Sequence, residues 1–335
     1  MEDKNLSPAF EKARKIFHQA NKITITTHMN PDGDAIGSAL AMYHFAKAAG
    51  LEAKVIINDK VPYNFMFLPE TEYIELYSET EHNDYINASD TIFVVDLNDA
   101  ARLKGMEKII NSSDATKVVI DHHIDPKDFA DAYIVDTDAS SAGEIIFKFL
   151  SSFEDLKLNK NVAECLYAAI MTDSGNFRFP RTDAELHRIV ADLIELGADP
   201  VKSYNEIYAR MPFRKMKLLG FCYSNMDLHY NGNLCLMYIT AEDIQKAEAT
   251  EEDVEDFVET GLNIEGTKIC ILMTEARDKS VIRLSFRSKG DISVREIALK
   301  FDGGGHFHAA GARVYNSDLN IVRKRILEEV KKALL

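Results

Sequence analysis

In the N-terminal part of the chain, short apolar runs alternate with longer stretches of helical period. KITITT (Lys22 to Thr27), AKVII (Ala53 to Ile57), DTIFVVD (Asp90 to Asp96), KVVID (Lys117 to Asp121) and DAYIV (Asp131 to Val135) are apolar and largely β-branched, which predicts five strands. DTIFVVD is almost continuously apolar, as a strand buried on both faces should be. Helical patterns follow an N-terminal helix at Ala35 to Ala49, Ser141 to Phe149, Asn161 to Met171 and Thr182 to Leu196; Gly50 and Gly197 mark the ends of the first and last. This alternation predicts an α/β domain with a mainly parallel sheet flanked by helices. Pro200 to about Asn225 reads as helix with no strand candidate. Beyond it, LHYNGNLCLMYIT places two strand-like runs around Asn231-Gly232, a hairpin signal. KICILMTEA and VIRLSFRS flank Arg277 to Ser280 as a second hairpin. The expected organisation is an α/β domain over 1–197, a helical connector over 198–218 and a smaller α+β domain over 219–335.

Composition narrows the class. A chain of 335 residues with 46% apolar content can bury a sizeable core. No apolar run approaches the ~18 residues of a membrane span, and the N-terminus carries no signal-peptide pattern. No membrane association is expected, and the cytoplasm is the expected compartment. Four scattered cysteines, with no C-x-x-C pair, suggest neither a zinc knuckle nor a disulfide framework. A formal charge of -15 argues against long nucleic acid as a partner, because such binding relies on many cation–phosphate contacts. It leaves room for a short phosphorylated substrate held by a few local cations. Part of the acidic surplus lies in Ala241 to Glu259, with nine acids and Lys246 as the one base, which reads as a solvated helical face.

The candidate chemistry gathers at element ends. KVVIDHHIDP runs from a buried strand straight into Asp121, His122 and His123. The carboxyl end of a strand in an open α/β sheet is the usual address of a site. THMNPDGDAIGSA adds His28, Asp32 and Asp34, where Gly33 lets the backbone bend so that both carboxylates can face one point. Asp34 also sits where it could cap the following helix. Asp96 ends FVVD. Asp173 ends an apolar helix, where a carboxylate opposes the helix dipole unless a cation lies beside it. Aspartate oxygen with imidazole suits Mn²⁺, Mg²⁺ or Fe²⁺ better than a thiolate-seeking metal.

HMNPDGD, the strand-ending Asp96, DHH and the helix-ending Asp173 resemble, in order, the four motifs of the DHH phosphoesterases. The tail GGGHFHAAGA resembles the core of the DHHA1 domain that accompanies one branch of that family, and the pairing is most like the nanoRNase/pAp phosphatases of bacteria. The resemblance covers the whole chain, with no departure at a ligand position. It implies two divalent ions, Mn²⁺ foremost with Mg²⁺ or Fe²⁺ as alternatives. His28, Asp32 and Asp96 would hold one; Asp34, Asp96, His122 and Asp173 would hold the other, with Asp96 bridging. Two such ions would activate a hydroxide between them. His123 would face the scissile phosphate, Asp121 would orient a histidine through its ring N–H, and Arg102 would clamp phosphate near the metals. In the second domain Gly303, Gly304, Gly305 and His306 resemble the substrate loop, and Arg287 would grip a phosphate remote from the metals.

The expected activity is hydrolysis of short oligoribonucleotides to 5′-mononucleotides and of adenosine 3′,5′-bisphosphate (pAp) to AMP. The alternative is a phosphodiesterase for linear dinucleotides such as pApA or pGpG, and a less favoured one is an inactive nucleotide-binding module. The GGGH tail disfavours an inorganic pyrophosphatase, whose second domain differs. Charge and length disfavour an exonuclease for long single strands. The sequence leaves a homodimer open.

Overall fold

The structure, a computed structural model, describes residues 6–334. It divides into two compact units between Arg210 and Met211. The division falls within 198–218.

The first unit holds a six-stranded, all-parallel sheet of β1 (Lys22–Thr26), β2 (Glu52–Ile57), β3 (Ile74–Leu76), β4 (Thr91–Val95), β5 (Thr116–Asp121) and β6 (Ala132–Val135), in the order β3-β2-β1-β4-β5-β6. Its helices are α1 (Ser7–Gln19), α2 (Gly33–Ala48), α3 (Glu79–Asn87), α4 (Glu107–Ser112), α5 (Ala142–Ser151), α6 (Lys160–Asp173), α7 (Ala184–Glu195) and α8 (Pro200–Ile207). All five residues of β4 are buried, which explains its unbroken apolar run. Phe93 and Val95 pack on one face with Phe17, Phe45 and Phe149. Ile92 and Val94 pack on the other with Ile86 of α3 and Ile110 of α4. β3 was not expected: it is a three-residue edge strand with no fully buried position, so it leaves no apolar signature. The chain winds outward from β1 in both directions, and this switch in strand order sits between β1 and β4. The loops after β1, β4 and β5 therefore open onto one end of the sheet.

Helix α2 is buried from Gly33 through Ala46, matching an apolar content that goes all the way round. It approaches α6 closely enough that a Cβ on Gly37 would lie 2.5 Å from the Cys165 carbonyl oxygen and 2.9 Å from the Ala169 Cβ. Gly33 has the same role. Its φ is not positive, and a Cβ there would lie 2.4 Å from Thr172 Oγ1, so close packing and not a tight bend requires glycine.

The second unit begins with α9 (Phe213–Ser224) and builds a mixed sheet from β7 (Met226–His229), β8 (Leu234–Ile239), β9 (Ile269–Glu275), β10 (Val281–Ser288), β11 (Gly304–Gly305) and β12 (Ala309–Tyr315), ordered β11-β12-β10-β9-β8-β7. Both expected hairpins are present as antiparallel pairs, β7 with β8 and β9 with β10. One face of the sheet packs Leu284 and Phe286 against Val294 and Phe301 around α12 (Val294–Leu299) and against Val322 and Ile326 of α13 (Leu319–Ala333). The other packs Met237 and Leu272 against α9 and two short helices, α10 (Ala241–Ala247) and α11 (Phe257–Gly261).

The acidic stretch Ala241 to Glu259 is not one solvated helix. It breaks into α10, a 3-10 turn at Glu251–Val254, and α11. Asp243 and Asp253 are buried because each closes a capping box, with Thr240 and Thr250 respectively. Phe257 and Val258 join the core. No helix among the described residues is long and apolar enough to cross a membrane.

Candidate metal centre

Four chain segments bring their carboxylates and imidazoles together at the carboxyl end of the first sheet. Just past β1, His28 is buried, and its Nδ1 lies 2.8 Å from the Met29 carbonyl oxygen. Only a protonated Nδ1 can donate there, so the neutral ring keeps a lone pair on Nε2. That Nε2 is 3.2 Å from Asp96 Oδ2 and 4.0 Å from Asp32 Oδ1. Lone pairs facing carboxylate oxygens at this range leave a place for a cation. Asp32, not Asp34, is the N-cap of α2, its Oδ1 accepting from Ala35 N at 3.1 Å.

Asp34 is 1% exposed and is held from the far side. The backbone N–H groups of Ala142 and Gly143 donate to its Oδ2 and Oδ1 at 2.6 and 2.9 Å, and Ser38 Oγ donates to Oδ1 at 3.1 Å. The N-terminus of α5 thus fixes the carboxylate. Asp96 follows β4 with φ at 55°, the left-handed region that Asp tolerates better than most residues. Its Oδ1 is buried with no hydrogen-bond partner. His122 Nε2 lies 3.2 Å from Asp173 Oδ2, 3.6 Å from Asp96 Oδ1 and 3.9 Å from Asp34 Oδ2. His123 Nδ1 is 2.7 Å from Asp121 Oδ1 and 3.5 Å from Asp96 Oδ1. Asp121 is fully buried beneath it.

The ligand-type atoms form overlapping groups: His28, Asp32 and Asp96; Asp34, His122 and Asp173; and Asp96, His122 and His123. Asp96 belongs to two of them. Without a cation the cluster opposes itself. Burial, then the charges of Asp96, Asp173 and Asp32, pushes the Asp34 carboxyl well above the usual carboxylate range. Burial, then Asp32, Asp173 and Asp121, does the same to Asp96, with Arg102 pulling the other way. Asp173 is pushed up to about 7 by burial and Asp32. Burial brings His122 down to about 4, and His123 adds to the effect. Burial also lowers His28. Neutral imidazoles beside carboxylates short of counter-charge, one with an orphaned buried oxygen, are a donor set that divalent cations fit. The Arg102 backbone carbonyl accepts from Met29 N at 2.9 Å, so Arg102 is tied to the β1 loop that carries His28.

The DHH family N-terminal domain matches residues 22–170 and the DHHA1 domain matches residues 231–334. The chain is 31% identical to the bifunctional oligoribonuclease and PAP phosphatase NrnA of Thermus thermophilus, over 93% of this chain and 90% of that protein. It is 30% identical to the NrnA of Bacillus subtilis, over 88% of this chain and 90% of that one. The chain belongs to the DHH family of metal-dependent phosphoesterases. Its fold matches the crystal structure of an exopolyphosphatase-related protein from Bacteroides fragilis at a TM-score of 0.91 and 30% identity, covering 97% of this chain and 96% of that one.

In the DHHA1 domain the glycine run is part of the sheet. Gly304 and Gly305 form β11, paired with Gly311 and Ala310 of β12. Gly305 alone of the three has a positive φ, 140°. Gly303 is glycine for another reason: a Cβ there would lie 2.2 Å from the Gly311 carbonyl oxygen. A Cβ on Gly304 would meet nothing within 4 Å, so this residue offers open backbone. His306 is exposed, and its N–H donates to the Ala309 carbonyl at 2.7 Å. Arg287 projects from β10, where Nε is 3.4 Å from Glu259 Oε1 and Nη1 donates to the Phe286 carbonyl at 3.1 Å.

Sequence reasoning missed two parts of the DHH domain's site. The amides of Ala142 and Gly143 that hold Asp34 carry no side-chain signature, although Ser141 as an N-cap to Glu144 N marks the helix start. Arg181 was also missed. Its charge is among those acting on Asp173 and His122, and its Nη1 donates to the Ala139 carbonyl at 3.3 Å. Its signal was its place, eight residues after Asp173 in a stretch that also holds Arg178.

Proposed function

We propose that this chain is a cytoplasmic, Mn²⁺-dependent phosphoesterase that hydrolyses short oligoribonucleotides to 5′-mononucleotides and pAp to AMP. The observation that carries the reading is the buried convergence on Asp96, whose Oδ2 faces His28 while its orphaned Oδ1 faces His122 and His123. The likeness to the two NrnA proteins supports the choice of substrate.

His28, Asp32 and Asp96 would hold one cation, and Asp34, Asp96, His122 and Asp173 the other. Bound there, the two would supply the charge that lowers the pKa of a nucleophilic water and screens the phosphate it attacks. The protein's own groups do the rest. The Met29 carbonyl fixes the His28 tautomer, and the α5 amides fix Asp34, so the ligand atoms are oriented in advance. Asp121 accepts from His123 Nδ1, which leaves Nε2 to face a phosphoryl oxygen or leaving group. Arg102 adds positive charge at the β1 side. Arg287 and the open backbone at Gly304 take up substrate in the DHHA1 domain.

The test compares turnover of two- to ten-residue RNAs, pAp, pApA and pyrophosphate in Mn²⁺, with a chelator control. RNA dimers and pAp should be cut fastest, chelation should abolish cleavage, and Mn²⁺ should restore it. Full turnover by Asp96→Ala, or a preference for pyrophosphate, would overturn the reading. A preference for pApA over both RNA and pAp would move the assignment to linear dinucleotides.

A further inference from the structure

Two residues past Asp173 the backbone enters a left-handed stretch: Gly175, Asn176 and Phe177 have φ of 59°, 58° and 62°. A bulky residue rarely holds this conformation, and strain of this kind gathers at functional sites. The stretch is built to last. The Ser174 carbonyl accepts from Arg178 N and Phe179 N, both at 3.0 Å. Ser174 Oγ accepts from Phe177 N at 3.0 Å, and Arg178 Nε donates to the Gly175 carbonyl at 2.6 Å. The outcome of this knot is the position of one ring. Phe179 lies directly on Gly175, so that a Cβ there would be 2.5 Å from the ring. Gly175 in turn is at most about 7 Å along the chain from the Cα of Asp173.

The ring is fixed but not covered. Phe179 is 52% exposed and has no ring partner among the described residues. Arg178 and Arg181 flank it along the chain, neither within ion-pair distance of a carboxylate among the described residues. Arg181 leans toward the metal centre, held at the Ala139 carbonyl. A half-open aromatic packed on backbone, with arginines close to it in the chain, offers what proteins use to hold single-stranded nucleotides: a π-face for a base and cations for its phosphate. Stacking tolerates any base, which suits a substrate of mixed sequence.

We propose that Phe179 is a stacking platform for a nucleobase of the substrate next to the scissile phosphate, with Arg181 facing that nucleotide's phosphate. The inference rests on the phosphoesterase reading above and adds a nucleoside subsite within the DHH domain.

The test is a fluorescence titration of the full, Mg²⁺-loaded chain with a non-hydrolysable dinucleotide carrying 2-aminopurine. Stacking on Phe179 should quench the probe. Phe179→Leu should lose the quenching and bind about tenfold or more weakly, while Phe179→Tyr restores both. Gly175→Ala, which displaces the ring, should repeat the Leu defect; a melt of each variant checks folding. In turnover, the Phe179→Leu loss on a dinucleotide should exceed its loss on a base-free phosphodiester by about tenfold. Undiminished quenching in Phe179→Leu, or equal losses on both esters, would overturn the proposal. Phe179-dependent quenching without hydrolysis by the wild type would leave this subsite standing and sink the phosphoesterase reading. A wild type that neither quenches nor cleaves would refute both.

Discussion

Gly37→Ala adds one methyl group at the place where the two helices that carry Asp34 and Asp173 touch. The new Cβ would lie 2.5 Å from the Cys165 carbonyl oxygen, about 0.9 Å short of ordinary contact, and 2.9 Å from the Ala169 Cβ. Neither neighbour is the free end of a flexible side chain, so α2 and α6 must separate by most of that amount. Overpacking of this kind costs about 1–3 kcal/mol, and the better helix propensity of alanine returns up to about 1 kcal/mol. The net loss should be up to about 3 kcal/mol, read as a drop in Tm of a few degrees. The functional loss should be larger than the stability loss, because a shift approaching 1 Å exceeds the tolerance of about 0.5 Å for a working site. Isothermal titration with Mn²⁺ should show weakened binding of at least one ion in a protein that still melts cooperatively. Gly220→Ala in α9 is the control: its Cβ would meet nothing within 4 Å, so it should be neutral or slightly stabilising. Wild-type metal affinity in Gly37→Ala together with a raised Tm would show that helix spacing does not set the centre.

The metal-free protein should lose stability as pH rises from about 4 towards 7. Asp173 is held up to about 7 when folded, so the unfolded chain gives up that proton first. Urea melts in chelator should show this slope, on the order of a few kcal/mol at most, and Asp173→Asn should flatten it; a slope of opposite sign would contradict the electrostatics. For the same reason, apparent Mn²⁺ affinity should rise with pH up to about 7, with proton release measurable by titration in two buffers. Asp121→Asn removes the carboxylate that orients His123 at 2.7 Å. It should lower kcat about 10- to 100-fold with little change in KM, and unchanged kcat would remove Asp121 from the site. Arg287→Ala should raise KM for pAp about 10- to 100-fold while Mn²⁺ still binds; Glu259→Gln, which frees Arg287 from its ion pair, should lower KM modestly, and this only while Arg287 is present.

The elements that could be read from the sequence are those whose burial is uniform. β4 and β5 show as apolar, β-branched runs because both faces are covered. β12 does not: AAGARVY is rich in small residues of low strand propensity, yet it lies between β10 and β11 because the sheet needs a partner there that leaves room for glycine. The acidic stretch misled for the opposite reason. Its charges look solvated, but Asp243 and Asp253 are buried by bonds to their own backbone, and no charge count reveals that. The ligand-type residues were legible because burying a carboxylate or imidazole at the end of an apolar element is costly unless a partner such as a cation offsets it. What supports them was not, because an amide that grips a carboxylate can belong to any residue.

The left-handed backbone at Asp96 and the repulsion among the carboxylates have one physical cause. At the switch point β4 must end and turn its Asp96 side chain back over the sheet end, and φ at 55° achieves that turn. The turn buries Asp96 among Asp32, Asp173 and Asp121, which raises its pKa and leaves Oδ1 without a donor. Backbone strain and electrostatic repulsion both weigh against this arrangement in the metal-free fold, and both would vanish from a chain that placed Asp96 in ordinary extended backbone facing water. The core around β4 is fully buried and can hold the conformation against that cost. A cation held there would release the repulsion, so metal affinity should weaken wherever the packing of β1, β4 and β5 is loosened, even far from Asp96.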